Sequence, residues 1–226
     1  SLLDALRKVN TVNSEIAGIT QKVGTFKVNL PKCEDSVTFF DTPGHSAFAA
    51  MRENCSRLTD IVTVVIAADD GVMAQTIEVL EILKKCPNVQ MVVAMSKCDK
   101  EDVDIKESTQ RISNQLLEHG VMVEEYGGNV PIVPISSKTS YGLEQLIETI
   151  LLQAEMMDLK VDASAPGEGL VIDSGVEKGK GLFSDILVSW GKFKTGDHCI
   201  VGTVSSRIKK IQNCEGKYAD SVGPSE

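Results

Sequence analysis

DIVTVVIAADDGVMAQTIEVLEILKKCPNVQMVVAM, residues 60–95, is the stretch that decides the fold. It opens and closes on near-continuous β-branched runs, DIVTVVIAA (60–68) and VQMVVAM (89–95), the pattern of strands buried on both faces of a parallel sheet. Between them QTIEVLEILKKC sets Ile77, Leu80 and Leu83 on one face of a helix. Parallel neighbours need a crossover rather than a tight turn, and strand, helix, strand is that crossover.

The same alternation continues on the C-terminal side. The helical stretch STQRISNQLLEHG (108–120) leads to a third buried strand, VPIVPIS (130–136), and the amphipathic helix LEQLIETILLQAEMM (143–157) closes the unit. On the N-terminal side, TFKVNL (25–30) and SVTFFD (36–41) read as two short strands that could form a hairpin across PKCED. The opening SLLDALRKV has Leu2, Leu3 and Leu6 at helical spacing with no cap before them, so the chain is expected to begin inside a helix with something preceding it. Residues 1–160 are therefore predicted to be α/β, a mainly parallel sheet with helices on both faces. Around DLKVDASAPGEG the composition turns to small and turn-forming residues, which marks a linker over 161–168. Beyond it, GLVIDS, LFSDILVSW, HCIVGTVSS and RIKKIQ are strand-like pieces, and 169–226 reads as an incomplete second β-barrel domain.

Composition narrows the function. Hydrophobic residues make up 42% and charged residues 24% of the 226, which excludes a disordered chain and leaves room for two units. No apolar run approaches the roughly 18–20 residues that span a bilayer, and no basic-then-apolar signal opens the chain, so no membrane partner is expected. The net charge of −9 is uneven: 169–226 hold 8 Lys and Arg against 7 Asp and Glu, so the excess acid lies in the first 168 residues. No broad basic face advertises nucleic-acid binding. The lysines and arginine of 178–210 could still face RNA, or be a solvated strand face. Six cysteines, at 33, 55, 86, 98, 199 and 214, form no C-x-x-C pair and read as reduced thiols.

In open parallel sheets, ligands bind beyond the carboxyl ends of the strands. Three segments fall there: DTPGH (Asp41, Thr42, Pro43, Gly44, His45), SKCD (Ser96, Lys97, Cys98, Asp99) and SSK (Ser136, Ser137, Lys138). Asp41 is a carboxylate suited to Mg²⁺ through water. Gly44, without a Cβ, would let its N–H approach a terminal phosphate, and His45 could orient a water for in-line attack. A tight turn whose Asp41 caps the next helix accounts for the same residues. Asp99 can accept paired hydrogen bonds from guanine N1–H and the exocyclic amine, and Lys97 could lay its alkyl stem along the base. The densely charged KCDKEDVDIKE could equally be a solvated loop. Ser136, Ser137 and Lys138 would offer N–H groups and a hydroxyl toward the base O6.

With AGITQKVG (17–24), FFDTPGHSAFAAMR (39–52), TDIVTVVIAADDGVMAQTIE (59–78), EEYGGNVPIVPISSKT (124–139) and LLQAEMMDLK (151–160), the chain resembles the translational GTPases, and among them the initiation factor two family. EKGKG (177–181) and GDHCIVG (196–202) are similar to that family's second domain. The resemblance implies GTP and GDP as ligands, Mg²⁺ held by Thr20 and Asp41, γ-phosphate sensing at Gly44, and His45 positioning the hydrolytic water. It also implies a monomer that works on the small and large ribosomal subunits, with initiator tRNA bound through domains outside this chain.

Three departures stand out. The family's G-K-T phosphate loop would lie before Ser1, so a chain truly starting there is expected to bind GTP poorly. SKCD puts Ser96 where the family has Asn, and Asn54 and Cys55 replace Arg-Gly. The relaxed SKCD and the cysteines fit a version from the mitochondrial matrix better than one from a bacterial cytoplasm. Another translational GTPase, elongation-factor-like, and a ribosome-binding scaffold that has lost nucleotide binding are the alternative readings.

Overall fold

The computed structural model describes residues 2–10, 24–29, 36–41, 59–177, 181–213 and 216–224. Thr20, Thr42, Pro43, Gly44, His45, Asn54 and Cys55 lie outside the described residues. The chain divides into two compact units, Ser1–Ala17 with Thr42–Leu159, and Gly18–Asp41 with Lys160–Glu226.

In the first unit, helix α1 (Leu2–Asn10) buries Ala5 and Leu6. Strands β3 (Ile61–Ala67), β4 (Gln90–Ser96) and β5 (Ile132–Pro134) form a parallel sheet in the order β3-β4-β5. Ile61 pairs with Gln90 and Ala67 with Ser96, so β3 and β4 end level with each other. Val92, Val93, Ala94 and Met95 of β4 are completely buried. At about 1.5–3 kcal/mol for each large apolar side chain, this strand is a principal source of the unit's stability.

Successive residues of a strand face opposite sides. Val93 and Met95 join Val64, Ile66, Leu80, Ile112 and Leu116 in one cluster, with Leu80 from α2 (Ala74–Leu83) and Ile112 and Leu116 from α3 (Ile105–Glu118). Val92 and Ala94 face the other way, and α4 (Leu143–Met156) contacts β3 and β4 while burying Leu143, Leu146, Ile147 and Ile150. The expected parallel sheet, with helices on both faces, is what these residues build.

Two boundaries differ from the sequence reading. Helix α3 starts at Ile105, earlier than the stretch read from Ser108, because the Asp104 side chain accepts from the N–H groups of Lys106 (2.8 Å) and Glu107 (3.1 Å). Strand β5 spans three residues instead of seven: Pro131 and Pro134 lack the N–H that a longer ladder needs. Gly142 opens α4 at φ +70, and a Cβ there would stand 2.1 Å from the Pro134 carbonyl oxygen, so no other residue fits without moving backbone.

In the second unit, β1 (Gly24–Asn29) and β2 (Ser36–Asp41) pair antiparallel, as the hairpin reading expected. Next comes the long hairpin of β6 (Glu168–Glu177) and β7 (Gly181–Trp190), whose first residue lies inside the stretch 161–168 read as a linker. The remaining strands are short: β8 (Phe193–Lys194), β9 (His198–Val201), β10 (Val204–Arg207), β11 (Ile211–Gln212), β12 (Tyr218–Ala219) and β13 (Ser221–Val222). They pair antiparallel as β9 with β10, β11 with β12, and β8 with β13. HCIVGTVSS, read as one piece, is a hairpin that reverses at Gly202, φ +59. RIKKIQ is split between the end of β10 and β11.

Candidate functional site

Because β3, β4 and β5 run parallel in register, the loops that leave their carboxyl ends share one edge of the sheet. Backbone bonds carry the alignment into the loops. The Ala68 N–H donates to the Ser96 carbonyl (2.8 Å), the Ile135 N–H to Met95 (2.7 Å) and the Cys98 N–H to Ile135 (3.2 Å). SKCD and SSK are therefore brought together.

Asp99 and Ser136 meet directly. The Ser136 hydroxyl, fully buried, donates to Asp99 Oδ1 at 2.7 Å and accepts weakly from the N–H groups of Lys138 (3.3 Å) and Thr139 (3.2 Å). This hydroxyl bond, with the backbone and nearby Lys138 and Lys100 adding to it, holds the Asp99 carboxyl below its ordinary value. Asp99 is thus an exposed, ionised carboxylate aimed by one buried side-chain donor. Ser137 is half-buried and Lys138 exposed beside it.

Ser96 and Cys98 turn elsewhere. The Ser96 hydroxyl donates to the Ile66 carbonyl on the neighbouring strand at 3.4 Å. Cys98 is half-buried against the hydrophobic cluster, its Sγ 3.2 Å from the Met95 carbonyl, and burial pushes its thiol up. The middle of the motif thus packs, while Lys97 and Asp99 on either side of Cys98 are exposed.

Lys97 has a left-handed backbone, φ +64, and its Nζ lies 3.1 and 3.2 Å from the Asp69 oxygens and 3.0 Å from Asp70 Oδ2. Lys100 Nζ also bonds Asp69 Oδ2. Lys100 and then Lys97 hold the Asp69 carboxyl well below the usual carboxylate range. The loop after β3 is pinned from α3: Arg111 Nη2 donates to the carbonyls of Ala68 and Asp69, and Gln115 Oε1 accepts from the Val72 N–H at 3.0 Å. Gly71 takes φ +72, the left-handed backbone that favours glycine.

Asp69, Asp70, Lys100, Arg111 and Gln115 were not singled out from sequence. The i, i+4 spacing of Arg111 and Gln115 on a helix was the available signal.

Of the phosphate and metal candidates, Asp41 ends β2. Among the described residues no three His, Cys, Asp or Glu side chains are grouped to hold a metal ion. Cys86, Cys98 and Cys199 are free thiols.

The model of the elongation factor Tu GTP binding domain matches residues 6–156. Translation initiation factor IF-2 of Parvibaculum lavamentivorans is 45% identical over 225 residues, covering all of this chain and 25% of that protein. The factor of the same name from Syntrophobacter fumaroxidans is 44% identical, covering 100% and 23%. The chain thus spans about a quarter of these relatives' length.

Among solved structures, GDP-bound aIF5B from Aeropyrum pernix aligns with a TM-score of 0.77 at 22% identity, over 98% of this chain and 47% of that one. Elongation factor SelB from Methanococcus maripaludis, in complex with the GTP analogue GPPNHP, aligns at 0.75 and 20%, over 99% and 46%. Those likenesses show the shared fold, a parallel α/β part followed by a β-rich part. With the family model matched over two-thirds of its residues, the chain belongs to the translational GTPases, the family of the elongation factor Tu GTP binding domain.

Proposed function

We propose that this chain is the guanine-nucleotide-binding part of a translation initiation factor, and that the loops at the ends of β4 and β5 recognise the base. The observation that carries this reading is the 2.7 Å bond from Ser136 to Asp99. It leaves an ionised carboxylate, fixed in direction, that can accept the N1–H and exocyclic amine of guanine together; adenine offers no such pair. Lys97 flanks the base, with the loop of Ser136, Ser137 and Lys138 beside O6.

The phosphate end rests on the sequence. Asp41 and Thr20 would hold Mg²⁺, which neutralises charge on the phosphates, while Thr42, Pro43 and Gly44 line the γ-phosphate and His45 orients water. A segment ordered by the γ-phosphate and released on hydrolysis is a switch. We assign 1–160 to the GTPase domain, 161–168 to a linker and 169–226 to a second β-domain. We group the β1–β2 ribbon with the first because the family resemblance gives Asp41, at its end, a part in holding Mg²⁺. In the whole protein, the work would be GTP hydrolysis coupled to initiator tRNA binding on the small subunit and to subunit joining. The relatives named above are bacterial, which favours a bacterial cytoplasm and lends no support to the mitochondrial preference.

Ser96, whose hydroxyl is spent on Ile66, favours a second reading in which nucleotide binding is weak or lost and the fold serves as a ribosome-binding scaffold. Titration of GDP and ADP into the whole protein that the gene encodes separates the two. Saturable binding of GDP, with ADP at least about tenfold weaker, is expected from one paired recognition; saturation by neither nucleotide would leave the scaffold.

A further inference from the structure

Lys97 is exposed and has a flexible four-carbon stem, yet it must present that stem in one place to be of use to a planar base. An unrestrained lysine keeps about 2 kcal/mol of rotamer entropy, which ordering at the moment of binding would forfeit. Here the ordering is already done. Its Nζ is held by both oxygens of Asp69 and one of Asp70, on the loop after β3, at 3.0–3.2 Å.

The anchor is itself anchored. Asp69 is only 20% exposed and takes Lys100 as a second cation. Its backbone is held by Arg111, and the next turn of the loop by Gln115, one helical turn further along α3. Two lysines against two carboxylates also make this group neutral, so the Lys97 ammonium is compensated where it stands.

We propose that Asp69, with Asp70 beside it, is a positioning residue for nucleotide binding: it fixes Lys97 against the base, and makes the 68–72 loop a supporting wall of the site. The inference rests on the guanine reading above and goes beyond it, because it assigns binding energy to residues that touch no nucleotide. An isolated exposed ion pair contributes little to stability. A pair that pre-orders a binding group acts on ligand release instead.

The test is a double-mutant cycle on the whole protein, reading the dissociation rates of GDP and GTP from wild type, Asp69→Asn, Lys97→Met and the double variant. Asp69→Asn is expected to speed release of both nucleotides by the same factor, about three- to tenfold, because the effect lies at the base and not at the phosphates. In the Lys97→Met background the same change should add nothing, and Asp69→Glu should recover most of the wild-type rate. Release within twofold of wild type in Asp69→Asn, or effects that simply multiply, would overturn the inference while leaving the guanine reading intact. A wild-type protein that binds no guanine nucleotide would overturn both.

Discussion

Strand β4 buries four consecutive side chains, Val92 to Met95, and the loops at that end of the sheet are tied together through Asp99 and Ser136, Lys97 and Asp69, Arg111 and the Ala68 carbonyl. The β-rich part is built differently. Among its described residues only Leu187 and Val188 are buried hydrophobic side chains, while Leu182 is 87% and Ile200 78% exposed. Polar groups can be held to hydrogen-bond tolerance only where the scaffold beneath them is close-packed. The contrast supports the proposal that recognition chemistry sits in the α/β unit; in the described β-rich part, apolar side chains such as Leu182 and Ile200 stand in the open.

The hardest way to break this comparison is to damage the packing of each part. Leu116→Ala, in the cluster under the sheet, should lower the unfolding free energy by about 2–5 kcal/mol in a urea titration. Leu182→Ser belongs at the other extreme and should stay within about 0.5 kcal/mol of wild type. Equal losses at the two positions would erase the distinction.

Between those extremes lies Ser136→Ala, which removes the hydroxyl from Asp99 and should let its carboxyl titrate higher, toward the ordinary value near 3.9. The sign follows from linkage. A carboxyl whose value is lowered by folding adds stability above its unfolded value, and loses that stability as pH falls through the lowered one. Wild type should thus exceed Ser136→Ala at neutral pH and converge with it in acid. NMR titration of the Asp99 carboxyl carbon reads the shift directly; an unchanged midpoint would show that the hydroxyl is not what holds Asp99.

Much of the first unit was legible because its signal is local. The β-branched runs at 60–68 and 89–95 and the apolar face of α2 state their structures within a few residues. SKCD and SSK could be placed at strand ends for the same reason. The Asp69–Lys97 pair was not legible: its partners are 28 residues apart, and they meet only because the register sets Ala67 beside Ser96. The start of α3 was hidden in a run of charges, although an Asp just before a periodic stretch is a cap signal. In the β-rich part, short strands and short connections give little periodicity to read, and two expected pieces proved to be divided, one by a turn at 202–203 and one by the irregular 208–210.

The central claim is that Asp99 reads guanine. Guanine offers two donors, N1–H and the C2 amine; xanthine replaces that amine with a carbonyl and needs a donor opposite it. Dissociation constants of GDP and xanthosine diphosphate, measured for wild type and Asp99→Asn on the whole protein, test this most directly. Wild type should prefer GDP, and Asp99→Asn should reverse the preference, each by about 10- to 100-fold for a paired recognition worth about 1–3 kcal/mol. An Asp99→Asn variant that still prefers GDP as strongly as wild type would contradict the account.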